Sequence, residues 1–203
     1  MDCINSIGLE PGKTAYLDMI AGKVRGLMTP GLFRHSVNTL ESCIEIAENC
    51  GLEVDMFMLC LASIVHDYGK IFSTGELEDI ARRDRLSISD FELGLKPILH
   101  SLVGDYLVSR DLGIKDSRVL RAVKVHTIGA VDMTLEEKIL FVADKVEKGR
   151  KYSGVEHLRD LALKDINLCL IEVYKNTIIY VMNKKSLLHP DTAGIWNSIC
   201  GGN

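Results

Sequence analysis

Met56-Phe-Met-Leu-Cys-Leu-Ala-Ser-Ile-Val65 is a continuous apolar run that leads directly into the polar pair His66-Asp67. A run that is apolar on most faces predicts a buried helix, and Gly69 favours the end of that helix just after the pair. Neighbouring helical side chains point about 100° apart, so an adjacent His and Asp can share a cation only near a helix end. The stretch therefore predicts a central helix at 53–68 that carries a candidate metal site.

The composition is that of an ordinary globular domain. The chain has 203 residues, of which 47% are hydrophobic and 26% charged, and this length is sufficient for one substantial core. The formal net charge of −4 argues against an extended nucleic-acid surface, because such surfaces need clustered basic side chains. The absence of an 18-residue apolar run and of a signal-peptide pattern predicts a cytoplasmic protein without a membrane partner.

The six cysteines have neither C-x-x-C spacing nor that of a disulfide framework, so we interpret them as free thiols, largely buried. Helical periodicity extends over nearly the whole chain, and no strand-like alternation is present. Further helices are expected at about 14–28, 75–84, 98–111, 116–126 and 154–184, with a short one near Asp191. The expected N-caps are Asp116, Thr134, Ser153 and Asp191. We therefore predict an all-α bundle forming a single domain over residues 1–203.

Six side chains of metal-ligand type follow one another along the chain: His35, His66, Asp67, His100, His126 and Asp144. Each is expected at a helix end or beside a buried helix face, with His35 opening one helix and His126 ending another. Asp144 is expected mid-helix, where an unpaired buried carboxylate is costly and a cation is favoured. Four imidazoles and two carboxylates exceed the needs of one structural zinc and would suit two metals about 3.5–4 Å apart, which hydrolyse phosphoesters.

Each of these residues also has a plainer interpretation. A single histidine is more often a hydrogen-bonded core or surface residue, and Asp144 could pair with Lys148, four residues further on. Lys70 could neutralise substrate phosphate, or it could stabilise a helix C-terminus through the helix dipole. The set as a whole favours a metal site, since a purely structural helical adaptor would require all six residues to be coincidental.

The series H…HD…H…H…D resembles that of the HD-domain metal-dependent phosphohydrolases. The segments that carry the likeness are His66-Asp-Tyr-Gly-Lys70, Leu99-His100, Val103-Gly104, His126-Thr-Ile-Gly129, Met133-Thr-Leu-Glu-Glu-Lys-Ile-Leu-Phe-Val-Ala-Asp144, Glu147-Lys-Gly-Arg150, Gly154-Val-Glu-His-Leu-Arg-Asp-Leu-Ala162, Asn176-Thr177 and His189-Pro-Asp-Thr192. Together they resemble the YqeK-type subfamily, the symmetrical bis(5′-nucleosyl)-tetraphosphatases. The likeness covers about residues 15–197, with the metal-binding core at 31–148.

The resemblance implies an all-helical enzyme that cleaves diadenosine tetraphosphate symmetrically into two ADP by a metal-activated hydroxide. It implies a di-iron centre and a homodimer, while nitrogen and oxygen ligands also suit manganese, zinc or nickel. By motif position, one metal would take His35, His66, Asp67 and Asp144, and the other would take His100, His126 and again Asp67. Catalytic roles would fall to Asp67, Lys70 and Arg150, and substrate contacts to Lys70, Thr127 and Arg150. Arg150 could instead be a solvated loop residue, and Thr127 could only support its turn.

Four positions depart from the pattern common in that family. Gly69 stands where Ala is usual, Ser101 where Gly is usual, Ile128 where Thr is usual, and Leu32 where Arg is usual. None removes a ligand, although changes at Leu32, Ser101 and Ile128 could alter the substrate pocket. Two alternatives therefore stay open. One is an HD hydrolase of nucleoside monophosphates, deoxynucleoside triphosphates or guanosine tetra- or pentaphosphate, and the other is a nucleotide-binding regulatory HD module with little turnover.

Two terminal features complete the sequence-based expectations. His189-Pro190-Asp191-Thr192 has the form of a helix start, which we favour over direct substrate contact. The apolar residues near the two ends could cover a partner surface or complete the core of the monomer. They are Ile4, Ile7, Leu9, Ile195, Trp196 and Ile199.

Overall fold

Helices form the architecture of residues 7–201, the part of the chain that the computed structural model describes, and no strand occurs there. The helices, numbered in chain order, are α1 (Pro11–Leu27), α2 (Pro30–Asn49), α3 (Met56–Val65), α4 (Thr74–Arg83), α5 (Asp90–Gly94), α6 (Leu99–Leu102), α7 (Gly104–Leu112), α8 (Ser117–Val125), α9 (Leu135–Val146), α10 (Val155–Ala162), α11 (Ile166–Asn183) and α12 (Thr192–Gly201). Short 3-10 turns span Tyr68–Ile71 and Lys96–Ile98. The all-α prediction is confirmed.

The apolar run forms α3, and this helix lies at the centre of the bundle. Every residue from Met58 to Val65 is buried, and α3 packs against α1, α2, α8 and α9. Burial of one large aliphatic side chain contributes about 1.5–3 kcal/mol, so this packing supplies much of the driving force for folding. Asp55 caps the start of α3 by accepting a hydrogen bond from the N–H of Met58. The predicted central helix is confirmed, with shorter bounds.

Several predicted boundaries are wrong. The helix expected at 98–111 is interrupted at Val103, so His100 lies in the short helix α6. The helix expected at 154–184 is two helices, because Asp165 accepts hydrogen bonds from the N–H groups of Asn167 and Leu168 and starts α11. His35 does not open a helix, since α2 begins five residues earlier at Pro30.

The expected N-caps are largely confirmed. Asp116 accepts a hydrogen bond from the N–H of Arg118, and Thr134 forms a capping box with Glu137. Ser153 is the exception, because Gly154, with a φ of 86°, precedes α10. Local side-chain chemistry therefore predicts helix starts well where the cap is a side-chain oxygen.

The C-terminal segment closes one side of the bundle. Asp191 occupies the predicted cap position of α12, since its carbonyl accepts from the N–H of Ile195, and His189 Nδ1 accepts from the N–H of Asp191. These bonds support the structural interpretation of His189-Pro190-Asp191-Thr192. Of the terminal apolar residues, Ile4 lies outside the described residues. The others are buried in or packed against the core: Ile7, Leu9, Ile195, Trp196 and Ile199.

The structure also describes the cysteines and the length of the apolar helices. The five cysteines among the described residues are free thiols, and Cys43, Cys60 and Cys169 are buried. No helix within residues 7–201 has the length and apolar character needed to cross a bilayer.

Candidate metal centre

The fold brings the six predicted metal ligands together from separate elements. His35 lies on α2, His66 and Asp67 follow the end of α3, His100 lies on α6, His126 follows α8, and Asp144 lies on α9. All are buried except His35, which is partly exposed. Because these elements pack around α3, side chains that are as much as 109 positions apart in the sequence meet at one end of the central helix.

Asp67 lies at the middle of the cluster, and its two carboxylate oxygens face different pairs of imidazoles. Oδ2 lies 3.4 Å from the Nε2 atoms of both His35 and His66. Oδ1 lies 3.3 Å from Nε2 of His100 and 3.4 Å from Nε2 of His126. This arrangement suits a carboxylate shared between two cations.

Asp144 adds a second carboxylate on one side only. Its Oδ1 lies 2.9 Å from Nε2 of His35 and 3.8 Å from Nε2 of His66. Three overlapping groups of ligand atoms each lie within 4.8 Å of one another: His35, His66 and Asp67; His66, His126 and Asp144; and Asp67, His100 and His126. The second group joins the two sides, so the geometry allows more than one division of ligands between metals.

The outer ring nitrogens fix the orientation of three imidazoles. Nδ1 of His66 lies 2.8 Å from the carbonyl of Ser63, and Nδ1 of His126 lies 2.7 Å from the carbonyl of Val123. A carbonyl only accepts, so each Nδ1 carries the hydrogen and each Nε2 presents a lone pair to the cluster. Nδ1 of His35 likewise faces Glu147 Oε1 at 3.2 Å. Metal-binding histidines are typically held in this way.

One buried atom tests whether the site fits a metal. Asp67 Oδ1 is buried and has no hydrogen-bond donor among the described residues. The Nε2 atom of His126 faces it with a lone pair and therefore cannot donate to it. An unpaired carboxylate oxygen in the interior is costly, and a metal ion beside it would remove that cost. The residues present therefore fit a metal centre.

The protonation equilibria differ between the two sides of Asp67. Burial alone would lower the pKa of His35, but its hydrogen bonds with Asp144 and Asp67 raise that pKa to about 9. Burial lowers the pKa of His126 to about 4, so this imidazole is neutral at physiological pH. Burial would raise the pKa of Asp144, yet the nearby Lys145 ammonium and His35 hold it well below its usual range.

Three cations line the cluster. Lys70 Nζ donates to Asp67 Oδ2 at 2.7 Å, and Lys145 Nζ donates to Asp144 Oδ2 at 2.6 Å. Arg150 donates from Nη2 to Asp144 Oδ1 at 2.6 Å and from Nε to the carbonyl of the same residue at 2.7 Å. Lys70 is exposed and Arg150 is partly exposed, and each keeps further N–H donors for a ligand outside the cluster. The predicted phosphate contacts Lys70 and Arg150 therefore lie at the cluster.

Sequence reasoning missed Lys145, Glu147 and Asn38. Glu147 is buried, and its Oε2 accepts from the N–H of Gly149 and, at 2.8 Å, from Asn38 Nδ2, while Oε1 faces His35. The helical spacing could have indicated both partners. Asn38 lies three residues after His35, and Glu147 three after Asp144, so each pair shares a helix face. Lys148, the plainer partner for Asp144, forms an ion pair with Glu41.

Gly69 has a packing role that was not evident from its difference from the alanine usual in the family. A Cβ atom at this position would lie 2.2 Å from the carbonyl oxygen of His100. Glycine therefore allows the 3-10 turn after Asp67 to lie directly against the backbone of α6.

The chain is similar to known proteins over most of its length. The family model described as HD domain matches residues 32–149. A protein of Bacillus subtilis named bis(5′-nucleosyl)-tetraphosphatase, symmetrical, is 35% identical over 179 residues, which cover 88% of this chain and 95% of that protein. A protein of the same name from Halalkalibacterium halodurans is 35% identical over 185 residues, 89% of this chain and 97% of that protein.

A solved structure shares the fold. It is a crystal structure from Clostridium acetobutylicum described as a predicted HD superfamily hydrolase involved in NAD metabolism. It has a TM-score of 0.84 and 29% sequence identity, with coverage of 92% of this chain and 97% of that one. The similarity therefore extends over nearly the whole of both chains.

Proposed function

This chain belongs to the HD domain family, and we propose that it is a metal-dependent phosphohydrolase that cleaves diadenosine tetraphosphate symmetrically into two ADP. The curated relatives that carry this activity in their names match most of the chain at 32–35% identity. They also match nearly their own full length in the two cases already described. We therefore propose that this chain, like those relatives in length, acts on one nucleotide substrate at one active site.

The single observation that carries the proposal is the convergence of ligand atoms around Asp67. Four Nε2 atoms and two carboxylates meet there, and one buried carboxylate oxygen has no hydrogen-bond donor within residues 7–201. We assign His35, His66, Asp67 and Asp144 to one metal and His100, His126 and Asp67 to the other. Metals bound in such a site supply an activated water and neutralise phosphoryl charge.

The chain's own cations would position the polyphosphate. Arg150 is held against Asp144 by two hydrogen bonds from Nε and Nη2, and its Nη1 N–H groups are available for a phosphate oxygen. Lys70 is held by Asp67 and keeps two further ammonium hydrogens. Lys145 is more fully engaged, since it also bonds the carbonyl of His126 and lies over the ring of Phe141. We therefore assign the substrate contacts to Arg150 and Lys70.

The test combines metal content with product analysis on diadenosine tetraphosphate. We expect about two transition-metal ions per chain and ADP as the only nucleotide product. Asp67→Ala should lose both the metals and the activity. His157→Ala, at an exposed histidine on α10, serves as a control that should retain both.

The nucleotide products and the preferred substrate distinguish the proposed function from its alternatives. AMP together with ATP would contradict symmetrical cleavage, and turnover of nucleoside monophosphates or guanosine tetraphosphate in preference would reassign the substrate. Bound metal without turnover of any of these would favour the regulatory module. Absence of metal after anaerobic purification, with no activity on reconstitution, would remove the enzymatic proposal.

We further propose iron as the native metal, a homodimer, and a cytoplasmic location. Iron is compatible with the mixed nitrogen and oxygen ligands, as are manganese, zinc and nickel, and metal analysis chooses among them. The dimer rests on the family resemblance and is tested by sedimentation. The free thiols of the described residues support a reducing compartment.

A further inference from the structure

The turn that follows α9 carries Arg150, to which we assign a phosphate contact. We call residues 147–150 the Arg150 turn. The N–H of Arg150 closes this turn by donating to the carbonyl of Glu147 at 2.9 Å. Lys148 and Gly149, at its middle, are exposed, and so are residues 151–154, which lead to α10. An exposed segment of this kind has few buried contacts of its own to fix its conformation.

One guanidinium from the next helix, α10, contacts the backbone of the Arg150 turn at both ends. Arg159 Nε donates to the carbonyl of Val146 at 2.7 Å, and its Nη2 donates to the carbonyl of Glu147 at 2.8 Å. The same Nη2 atom donates to the carbonyl of Arg150, also at 2.8 Å. The last carbonyls of a helix have no partner within that helix, so Arg159 both caps α9 and holds the turn.

The position of Arg159 on α10 follows from the packing of that helix. Arg159 lies four residues after the buried Val155 and directly after the buried Leu158, so it shares the face of α10 that packs against the bundle. The helix contacts both α9 and α11. The positive charge of the guanidinium also suits the C-terminal end of α9, where the helix dipole is negative.

Arg159 also forms an ion pair with Glu156, and this is the lesser of its interactions. Glu156 lies three residues earlier on α10, contacts Nη1 of Arg159 and is 81% exposed. An ion pair at such an exposed position contributes little to stability. The three carbonyls are therefore the contacts that explain an arginine at this position. Lysine has a single nitrogen atom and would lose the planar fork that spans them.

The hydrogen bonds of Arg159 fix the point from which the Arg150 side chain starts. The N–H of Arg150 bonds within the turn and its carbonyl accepts from Arg159, so both polar groups of its backbone are engaged. The side chain donates from Nε and Nη2 to Asp144, which leaves the Nη1 hydrogens for a phosphate oxygen. A shift of the turn would move Nη1 relative to the substrate, and a misplacement of about 1 Å can lower a rate by about a hundredfold.

We propose that Arg159 is a positioning residue that acts through Arg150 and contacts neither the substrate nor the metals. Its three hydrogen bonds to carbonyls hold the Arg150 turn in the conformation that presents the guanidinium of Arg150 to the phosphates. The inference rests on the proposed function and adds to it the residue that determines where this phosphate-binding cation lies.

Arg159→Lys in the metal-loaded protein tests this role. The substitution keeps the charge but removes the fork, so we expect turnover of diadenosine tetraphosphate to fall by about 10–100-fold with the metal content unchanged. In an Arg150→Ala background the same substitution should change turnover by less than about twofold, because no guanidinium remains to be positioned. Titration with pyrophosphate should show the same pattern, with an affinity about three- to tenfold lower for Arg159→Lys alone.

Arg121→Lys is the matched control. Arg121 is partly exposed, as Arg159 is, and its Nη1 donates to both carboxylate oxygens of Glu137 on α9, at 2.7 and 2.6 Å. It thus links α8 to the start of α9, at the end of that helix opposite the Arg150 turn. Both lysine substitutions should lower Tm by about 2–4 °C, whereas only Arg159→Lys should lower turnover and pyrophosphate affinity. Glu156→Gln, which removes only the exposed ion pair, should leave both unchanged.

The outcomes separate this inference from the proposed function. In a protein that cleaves diadenosine tetraphosphate, equal losses for Arg159→Lys with and without Arg150, or loss of metal from Arg159→Lys, would overturn the positioning role alone. An equal loss of turnover in Arg121→Lys would also overturn it, because the effect would then be one of stability. Pyrophosphate affinity that depends on Arg159 only when Arg150 is present, in a protein that does not cleave diadenosine tetraphosphate, would support the positioning role and remove the proposed function.

Discussion

The two halves of the candidate metal centre contain different kinds of side chain, although Asp67 is common to both. His35, His66 and Asp144 form the charged half, where Lys145, Arg150 and Glu147 contact the ligands. His100 and His126 form what we call the neutral half, because among the described residues it has no carboxylate of its own besides the shared Asp67, and it is bordered by the Ser101–Thr127 hydroxyl pair. Carboxylates in the interior require compensating charge, whereas neutral imidazoles require only an acceptor for Nδ1. The difference between the halves is therefore one of charge, because Asp144 is held by the cations Lys145 and Arg150 whereas the other half holds two histidines.

Removal of one ligand from each half should have the largest effect. We expect His35→Ala and His126→Ala each to reduce hydrolysis by at least about a thousandfold, because the proposed reaction would require both metals. Each variant should retain about one metal per chain, measured by elemental analysis, in contrast to Asp67→Ala. Loss of all metal from both variants would show that the halves do not bind independently.

Gly69→Ala should lower the stability of the protein and should weaken metal binding in the neutral half alone. The new Cβ would meet the His100 carbonyl at 2.2 Å, and backbone on both sides leaves little room for adjustment. We expect the free energy of unfolding to fall by up to about 3 kcal/mol, with weaker metal binding at His100 and His126.

Gly75→Ala provides the control for this substitution. Gly75 lies in the first turn of α4, and no neighbouring atom of residues 7–201 lies within 4 Å of its Cβ position, so alanine there should be neutral or slightly stabilising. Chemical denaturation of both variants, with and without metal, measures the difference. Equal stability of Gly69→Ala and Gly75→Ala would contradict the close approach of the turn to α6.

Glu147→Gln should lower the metal affinity of the charged half, and we expect this effect to be smaller than those of ligand removal and of Gly69→Ala. The amide would place an NH₂ group either against the two donors Asn38 and Gly149 or against His35 Nδ1. Loss of such a supporting group typically lowers metal affinity by about 10–100-fold.

A competition titration with a metal chelator measures this loss. Glu45→Gln, at an exposed position on the same helix as His35, is the control and should leave the affinity for each of the two metals unchanged. The effect of Glu147→Gln should be confined to one of the two metals. A loss shared equally by both metals would show that Glu147 supports the whole cluster rather than His35.

The sequence predicted those features of the fold and the site that depend on residue type and on helical periodicity. The apolar run before His66 predicted the central helix, and the order of histidines and aspartates predicted which side chains meet. Cap residues such as Thr134 predicted helix starts, because a hydroxyl oxygen satisfies backbone N–H groups only a few residues away. The breaks at Val103 and at 163–165 were missed, since tertiary packing and a cap within an apolar stretch outweighed helical periodicity.

The sequence by itself determined that this protein is helical and that it carries six residues of metal-ligand type in the HD order. The tertiary structure alone decided how Asp67 divides its oxygens between two pairs of imidazoles, which groups hold each Nδ1, and why position 69 is glycine. It also brought the hydroxyls of Ser101 and Thr127 within 2.6 Å of each other, although 26 positions separate them. Helix formation and capping depend on neighbours within a few residues, whereas these contacts depend on distances between elements that are far apart in the sequence.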